Sequence, residues 1–129
     1  MNIELKMLAW TVALGLLQIA AQASLSTMQR GLAWNASARD EPATPLTGIG
    51  ARVERALRNF LETFPLFAAA ALAVVASNHT SEGTALGAQI YFWARVVYLV
   101  VYAAGVPYLR TAVWAVSMVG LVKVLFPLF

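Results

Sequence analysis

Long uncharged stretches alternate with short charged ones along this chain, and the uncharged stretches have the length of a bilayer crossing. Met7 to Gln29 runs twenty-three residues without a charge and Thr63 to Ser81 nineteen. Gly83 to Leu109 holds one charge, Arg95, and Thr111 to Phe129 holds one, Lys123. A helix needs about 20 mostly apolar residues to cross the hydrocarbon core. The pattern therefore predicts four transmembrane helices, near 7–28, 50–76, 85–104 and 111–128, in one domain covering residues 1–129. Lipid cannot satisfy backbone N–H and C=O groups, so the expected fold class is all-α, a four-helix bundle embedded in the membrane.

The connections set the expected orientation. The first carries Arg30, Arg39, Arg52, Arg55 and Arg58; the second, around Ser77 to Gly87, has Glu82 and no Lys or Arg; the third, Gly105 to Arg110, has Arg110. Cytoplasmic loops are enriched in Lys and Arg, which puts loops one and three in the cytoplasm and both termini outside it, with Lys6 and Lys123 as minor dissenters. The expected location is a bacterial inner membrane, as an integral multi-pass protein. Lys6, the apolar run and Ala21-Gln22-Ala23 imitate a signal peptide, but Glu4 neutralises the leading charge and the run continues through Leu25 and Met28. The first span is read as an uncleaved helix. Loop one holds Asn35, Ser37, Pro42, Pro45, Gly48 and Gly50, which predicts an irregular, mobile segment, and Thr47 or Gly48 would cap the second helix. Pro65 would loosen that helix one turn after Glu62. No internal repeat is evident.

Composition agrees: 60% hydrophobic residues, 12% charged and a mean hydropathy of +0.70 exclude an ordinary soluble domain. There is no cysteine, so disulfides, thiolate metal sites and a cysteine nucleophile are excluded. The one histidine, His79, lies among Ser77, Asn78, Thr80 and Ser81 and reads as a solvated turn residue, so no metal is expected. A net charge of +3 does not indicate nucleic acid, because the arginines mark membrane borders and no basic stripe alternates with aromatics.

Polar side chains at the mouth of a span are costly, and that makes them candidates for function. Arg55, Arg58, Asn59 and Glu62 recur at helical spacing and form one stripe at the start of the second helix. Its guanidiniums suit an anionic ligand, with Asn59 and Glu62 for polar groups on the same molecule. A second stripe, Tyr91, Arg95, Tyr98 and Tyr102, lies on one face of the third span. Arg95 facing lipid would cost at least about 2.5 kcal/mol, so it should face protein or a wet cleft. The blander readings are an Arg95–Glu62 or Arg58–Glu62 pair and an interfacial tyrosine belt.

The run Arg55-Ala56-x-x-Asn59-x-x-Glu62, followed by Phe64-Pro65-Leu66-Phe67, resembles the second helix of the MAPEG superfamily, the membrane-associated proteins in eicosanoid and glutathione metabolism. Arg95-x-x-Tyr98-x-x-x-Tyr102 has that family's spacing, and Pro107-Tyr108-Leu109-Arg110-Thr111 is similar to its turn into helix four. The resemblance implies a homotrimer that binds glutathione between subunits near the cytoplasmic face. It implies that Arg55, Asn59, Glu62, Arg95, Tyr98 and Tyr102 contact glutathione, with Arg58 available to its carboxylates, and that Arg110 stabilises its thiolate. Arg110 is expected to reach the second-helix stripe only if subunits pack closely. Where several relatives have a tyrosine after the Glu, this chain has Thr63, with a shorter reach, and Arg30 is the sole basic residue at the end of helix one.

Three functions follow as expectations. The first is a glutathione transferase or peroxidase acting on lipophilic electrophiles or lipid hydroperoxides drawn from the membrane. The second is a non-catalytic lipid-binding or scaffolding member of the same superfamily. The third is a structural or transport-related bundle whose charges hold subunits together. The intact Arg-Asn-Glu stripe and Arg110 favour the first.

Overall fold

In the computed structural model, which describes residues 1–129, the chain forms α1 (Ile3–Arg30), α2 (Leu32–Ala36), α3 (Gly48–Ala76), α4 (Glu82–Ala104) and α5 (Pro107–Leu125), closed by a 3-10 turn at Phe126–Leu128. There are no strands, and the four long helices are each long and apolar enough to cross a membrane. Each expected span falls within one of these helices or, at the C-terminus, within α5 and its closing turn, and each helix starts two to four residues earlier than expected. At 29 residues α3 is about 43 Å long, against a hydrocarbon core of about 30 Å. Its surplus length falls at the arginine-bearing start.

The helix ends follow from local chemistry. Ser81 caps α4 in a capping box with Thr84, and the Thr84 hydroxyl also donates to Glu4 of α1 at 2.7 Å. That bond ties the starts of α1 and α4 together at the arginine-free end, where Glu4 is buried. Gly105 ends α4 with φ +81°, a conformation that suits a residue without Cβ. Pro107 then starts α5, where its missing N–H costs nothing. This two-residue turn makes α4 and α5 antiparallel neighbours. They cross at Gly87 and Gly120: a Cβ on either would lie 2.7 Å from the other's carbonyl oxygen.

One core cluster joins Phe67, Ala71 and Val74 of α3 to Ala88 and Tyr91 of α4 and Val124 of α5. A smaller one joins Leu14, Phe60 and Phe92 toward the other end. Leu16, Leu66, Trp93, Val100 and Val119 are exposed on the outer faces, as expected where the solvent is lipid.

Loop one is mostly irregular, as expected, but includes one short element that was not foreseen. Leu32–Ala36 is a short helix, held by Asn35 against Thr27 (2.6 Å) and Ser26 (3.2 Å). The rest is irregular but tied back to α1: Arg30 Nε donates to Thr44 O at 2.7 Å, and the Gln29 side chain donates to Thr47 O and accepts from Thr47 N–H. Thr47 is the residue before α3, but its hydroxyl makes no cap. His79 is exposed in the α3–α4 turn, beside Ser77 at 2.9 Å.

Candidate functional site

At the arginine-rich end, three helices converge. The surplus start of α3 supplies Arg52, Arg55, Arg58, Asn59 and Glu62; the last turns of α4 supply Tyr98 and Tyr102; the first turn of α5 supplies Arg110, Thr111 and then Trp114. A cleft of about 210 Å3 lies between Arg55, Arg58, Asn59 and Glu62 on one side and Tyr98, Tyr102 and Arg110 on the other. It adjoins a smaller cleft of about 140 Å3, where Asn59, Tyr98 and Arg110 meet Thr111 and Trp114. The last two members of the α4 stripe, Tyr98 and Tyr102, thus face the α3 stripe within one chain. Arg110 does not need a neighbouring subunit to reach the α3 stripe, because the tight Gly105 turn folds α5 directly back along α4.

Tyr102 is the centrepiece. Arg55 Nε donates to its hydroxyl at 3.0 Å, and the Arg110 guanidinium sits over its ring at 4.7 Å. Tyr98 packs edge-on against it at 5.5 Å between centroids. These contacts orient both arginines without neutralising them. The one ion pair in the chain joins Arg58 to Glu54 at 3.6 Å, not to Glu62, and the Arg58 side chain is 68% exposed, so the pair is weak. Glu62, Arg55 and Arg110 have no ion partner. The cleft presents three guanidiniums and one free carboxylate, which suits a ligand with more than one anionic group and one cationic group. Asn59 Oδ1 is buried here and accepts no hydrogen bond, an arrangement that costs about 1–3 kcal/mol until a donor arrives.

Arg95 is placed differently. It is 1% exposed, its three guanidinium nitrogens have no hydrogen-bond partner, and it does not line either cleft. Its guanidinium lies 4.3 Å from the Tyr98 ring centroid and 5.8 Å from that of Phe60, sealed behind the tyrosine that faces the cleft. There is no Arg95–Glu62 ion pair. Thr63 is also withdrawn from the cleft: it is buried, 2.9 Å from the Tyr91 hydroxyl, which itself stacks on Phe67. Tyr91 thus serves the core.

Sequence reasoning missed one residue at these clefts, Trp114, which stands one turn beyond Arg110, so helical spacing was the available signal. Another concavity, about 560 Å3, lies apart in loop one, where Arg30 and Arg39 flank Trp34 beside Asp40 and Glu41. No group of three His, Asp or Glu side chains is placed to hold a metal ion.

A model of the MAPEG family matches residues 7–128, nearly the whole chain, and the chain belongs to that family of membrane four-helix bundles. The family includes glutathione transferases and peroxidases as well as non-catalytic members. No curated protein matches the chain.

Proposed function

We propose that this MAPEG-family protein is a membrane-bound glutathione transferase that joins the glutathione sulfur to lipophilic electrophiles, with lipid hydroperoxides as a second substrate class. The observation that carries the reading is the free polar constellation in one cleft: Arg55, Asn59, Glu62 and Arg110 together, none of them spent on an ion pair and Asn59 Oδ1 buried without a donor. Glutathione supplies what these groups lack. Its two carboxylates suit Arg55 and Arg58, its ammonium suits Glu62, and its amide N–H groups suit Asn59. Tyr98 and Tyr102 form the wall. Arg95 holds Tyr98 from behind, and a carboxylate would reach it only where that ring turns aside.

Arg110 is the residue proposed for chemistry. A guanidinium beside the sulfur favours thiolate over thiol, and lowering the thiol pKa by about 2 needs about 2.7 kcal/mol. The first turn of α5 adds in the same direction. The thiol proton leaves to water, the sulfur pair forms a C–S bond, and the electrophile's leaving group departs or its ring opens. With a hydroperoxide, two thiols become one disulfide while the hydroperoxide becomes alcohol and water. The acceptor arrives from the bilayer, which gives a reason for placing such chemistry in a membrane.

Two further parts of this reading concern assembly and orientation. A homotrimer is proposed from the resemblance to the MAPEG family alone; Arg95, already sealed inside one subunit, does not bear on it. A cytoplasmic site, with both termini outside, is supported by Arg30, Arg39, Arg52, Arg55, Arg58 and Arg110 all lying at one end of the bundle. The alternative is non-catalytic lipid binding. One observation favours it: an all-apolar groove of about 350 Å3 between α3 and α5, lined by Leu66, Ala69, Ala73, Leu121, Leu125 and Leu128 among others.

The test is a glutathione titration of detergent-solubilised protein, followed by thiolate absorbance. Saturable thiolate formation in the wild type, lost in Arg110→Ala, supports the enzyme. Absence of glutathione binding in the wild type moves the protein to the lipid-binding alternative.

A further inference from the structure

Behind Tyr102, on the far side from Asn59 and Glu62, lies a third cleft of about 230 Å3 at the α4–α5 turn. Its charged lining is Arg52, Arg55 and Arg110, with no carboxylate among the lining residues. Arg52 packs across Gly105 and donates from Nε to Ala103 O at 2.9 Å, which fixes its guanidinium over the turn. Arg55 is fixed by Tyr102 in the same way, again through Nε. Both therefore keep their terminal nitrogens free. Pro107 at the floor opens α5, whose first-turn N–H groups have no intrahelical acceptor. Three guanidiniums and a helix start aimed at one space form a site for a compact anion with several oxygens, which is the chemistry of phosphate.

The rim says where the phosphate comes from. Val106 is 42% exposed, Leu109 51% and Tyr108 90%, all flanking the same turn. An amphipathic aromatic beside apolar side chains at a helix end belongs at headgroup depth, and basic pockets between transmembrane helices take anionic headgroups. We propose that the Arg52–Arg55–Arg110 cleft binds the phosphate of an anionic phospholipid in the leaflet that faces loop one. Since Arg55 and Arg110 also line the glutathione cleft, a bound headgroup opposes glutathione. That consequence rests on the functional reading above; the lipid site does not.

The experiment uses the full chain, without glutathione, in nanodiscs of phosphatidylcholine alone or mixed with phosphatidylglycerol, and reads retained lipid by native mass spectrometry. Phosphatidylglycerol should be retained in preference to phosphatidylcholine. Arg52→Gln should weaken that retention about tenfold or more, the loss expected for a charge-assisted hydrogen bond. Arg39→Gln removes the same charge from the same end outside the cleft and should change nothing. No preference in the wild type overturns the proposal, and that comparison stands even if Arg52→Gln does not fold. Equal loss in both variants also overturns it, since the attraction would then be general. Displacement of the lipid by inorganic phosphate at equal concentration would assign the cleft to free phosphate and overturn the lipid source. In a separate arm, phosphatidylglycerol should raise the apparent glutathione Kd, whereas a wild type that binds no glutathione but retains the lipid refutes only the transferase reading.

Discussion

Asn59→Ala separates a ligand-binding role from a structural one by the opposite signs of its two effects. Without ligand, Asn59 Oδ1 is buried and unpaired. Removing it relieves a desolvation cost of about 1–3 kcal/mol, and alanine adds about half a kcal/mol of helix propensity. The unliganded variant should therefore melt at or above the wild-type temperature. With glutathione, the same substitution deletes a hydrogen bond. If the donor is the ammonium, the loss is about 1.5–3 kcal/mol, or roughly ten- to 150-fold in Kd; if it is an amide N–H, the loss is about 0.5–1.5 kcal/mol. The stabilisation that saturating glutathione gives the wild type should shrink accordingly in the variant. Isothermal titration gives the affinity, and melting with and without ligand gives both stabilities. An unchanged Kd would refute the binding role, and a variant less stable without ligand would show that Asn59 serves the fold.

Arg110→Ala should lose conjugation of a generic aromatic electrophile while largely keeping glutathione affinity, and Arg110→Lys should recover part of the rate; unchanged turnover at saturating glutathione would remove the catalytic assignment. Gly120→Ala should destabilise the bundle, because its Cβ would lie 2.7 Å from Gly87 O and from Tyr91 N, both backbone. Overpacking of about 1–3 kcal/mol outweighs a helix-propensity gain of about 1 kcal/mol, and a melt at or above wild type would contradict the tight crossing. Mass measurement in mild detergent should give three copies, and a stable monomer would count against the trimer.

The four spans were legible because a charge-free run of bilayer length has few alternative readings. The convergence of Arg55, Asn59 and Glu62 on Tyr98, Tyr102 and Arg110 was legible only in part. Spacing placed each stripe on a face, whereas the turn at Gly105 decides that Arg110 reaches them within one subunit. Arg58 has a carboxylate four residues away on either side, Glu54 and Glu62, and helical spacing alone cannot choose between them. Whether Arg95 opens to the cleft depends on the Tyr98 rotamer, and whether Thr63 is free depends on Tyr91 in another helix. The ties of loop one to Gln29 and Arg30 of α1 were not legible, because its Pro and Gly content carries no sign of such a tertiary capture.

The glycine crossing also has a mechanical consequence. Contact at Gly87–Gly120 near one end and the short Gly105 turn at the other join α4 and α5 into a single stiff body that carries Tyr98, Tyr102 and Arg110 together. Neither helix can swing away from the other to admit a ligand. The compliant side is α3, where Pro65 offers no N–H to the Leu61 carbonyl and so interrupts the ladder one turn beyond Glu62. Opening is therefore expected in the stretch Gly48–Glu62, bending about Pro65 and giving up the Arg52–Ala103 and Arg55–Tyr102 bonds that tie it to the opposing wall. Amide hydrogen exchange should be faster there than across Gly87–Tyr102, and glutathione should slow it.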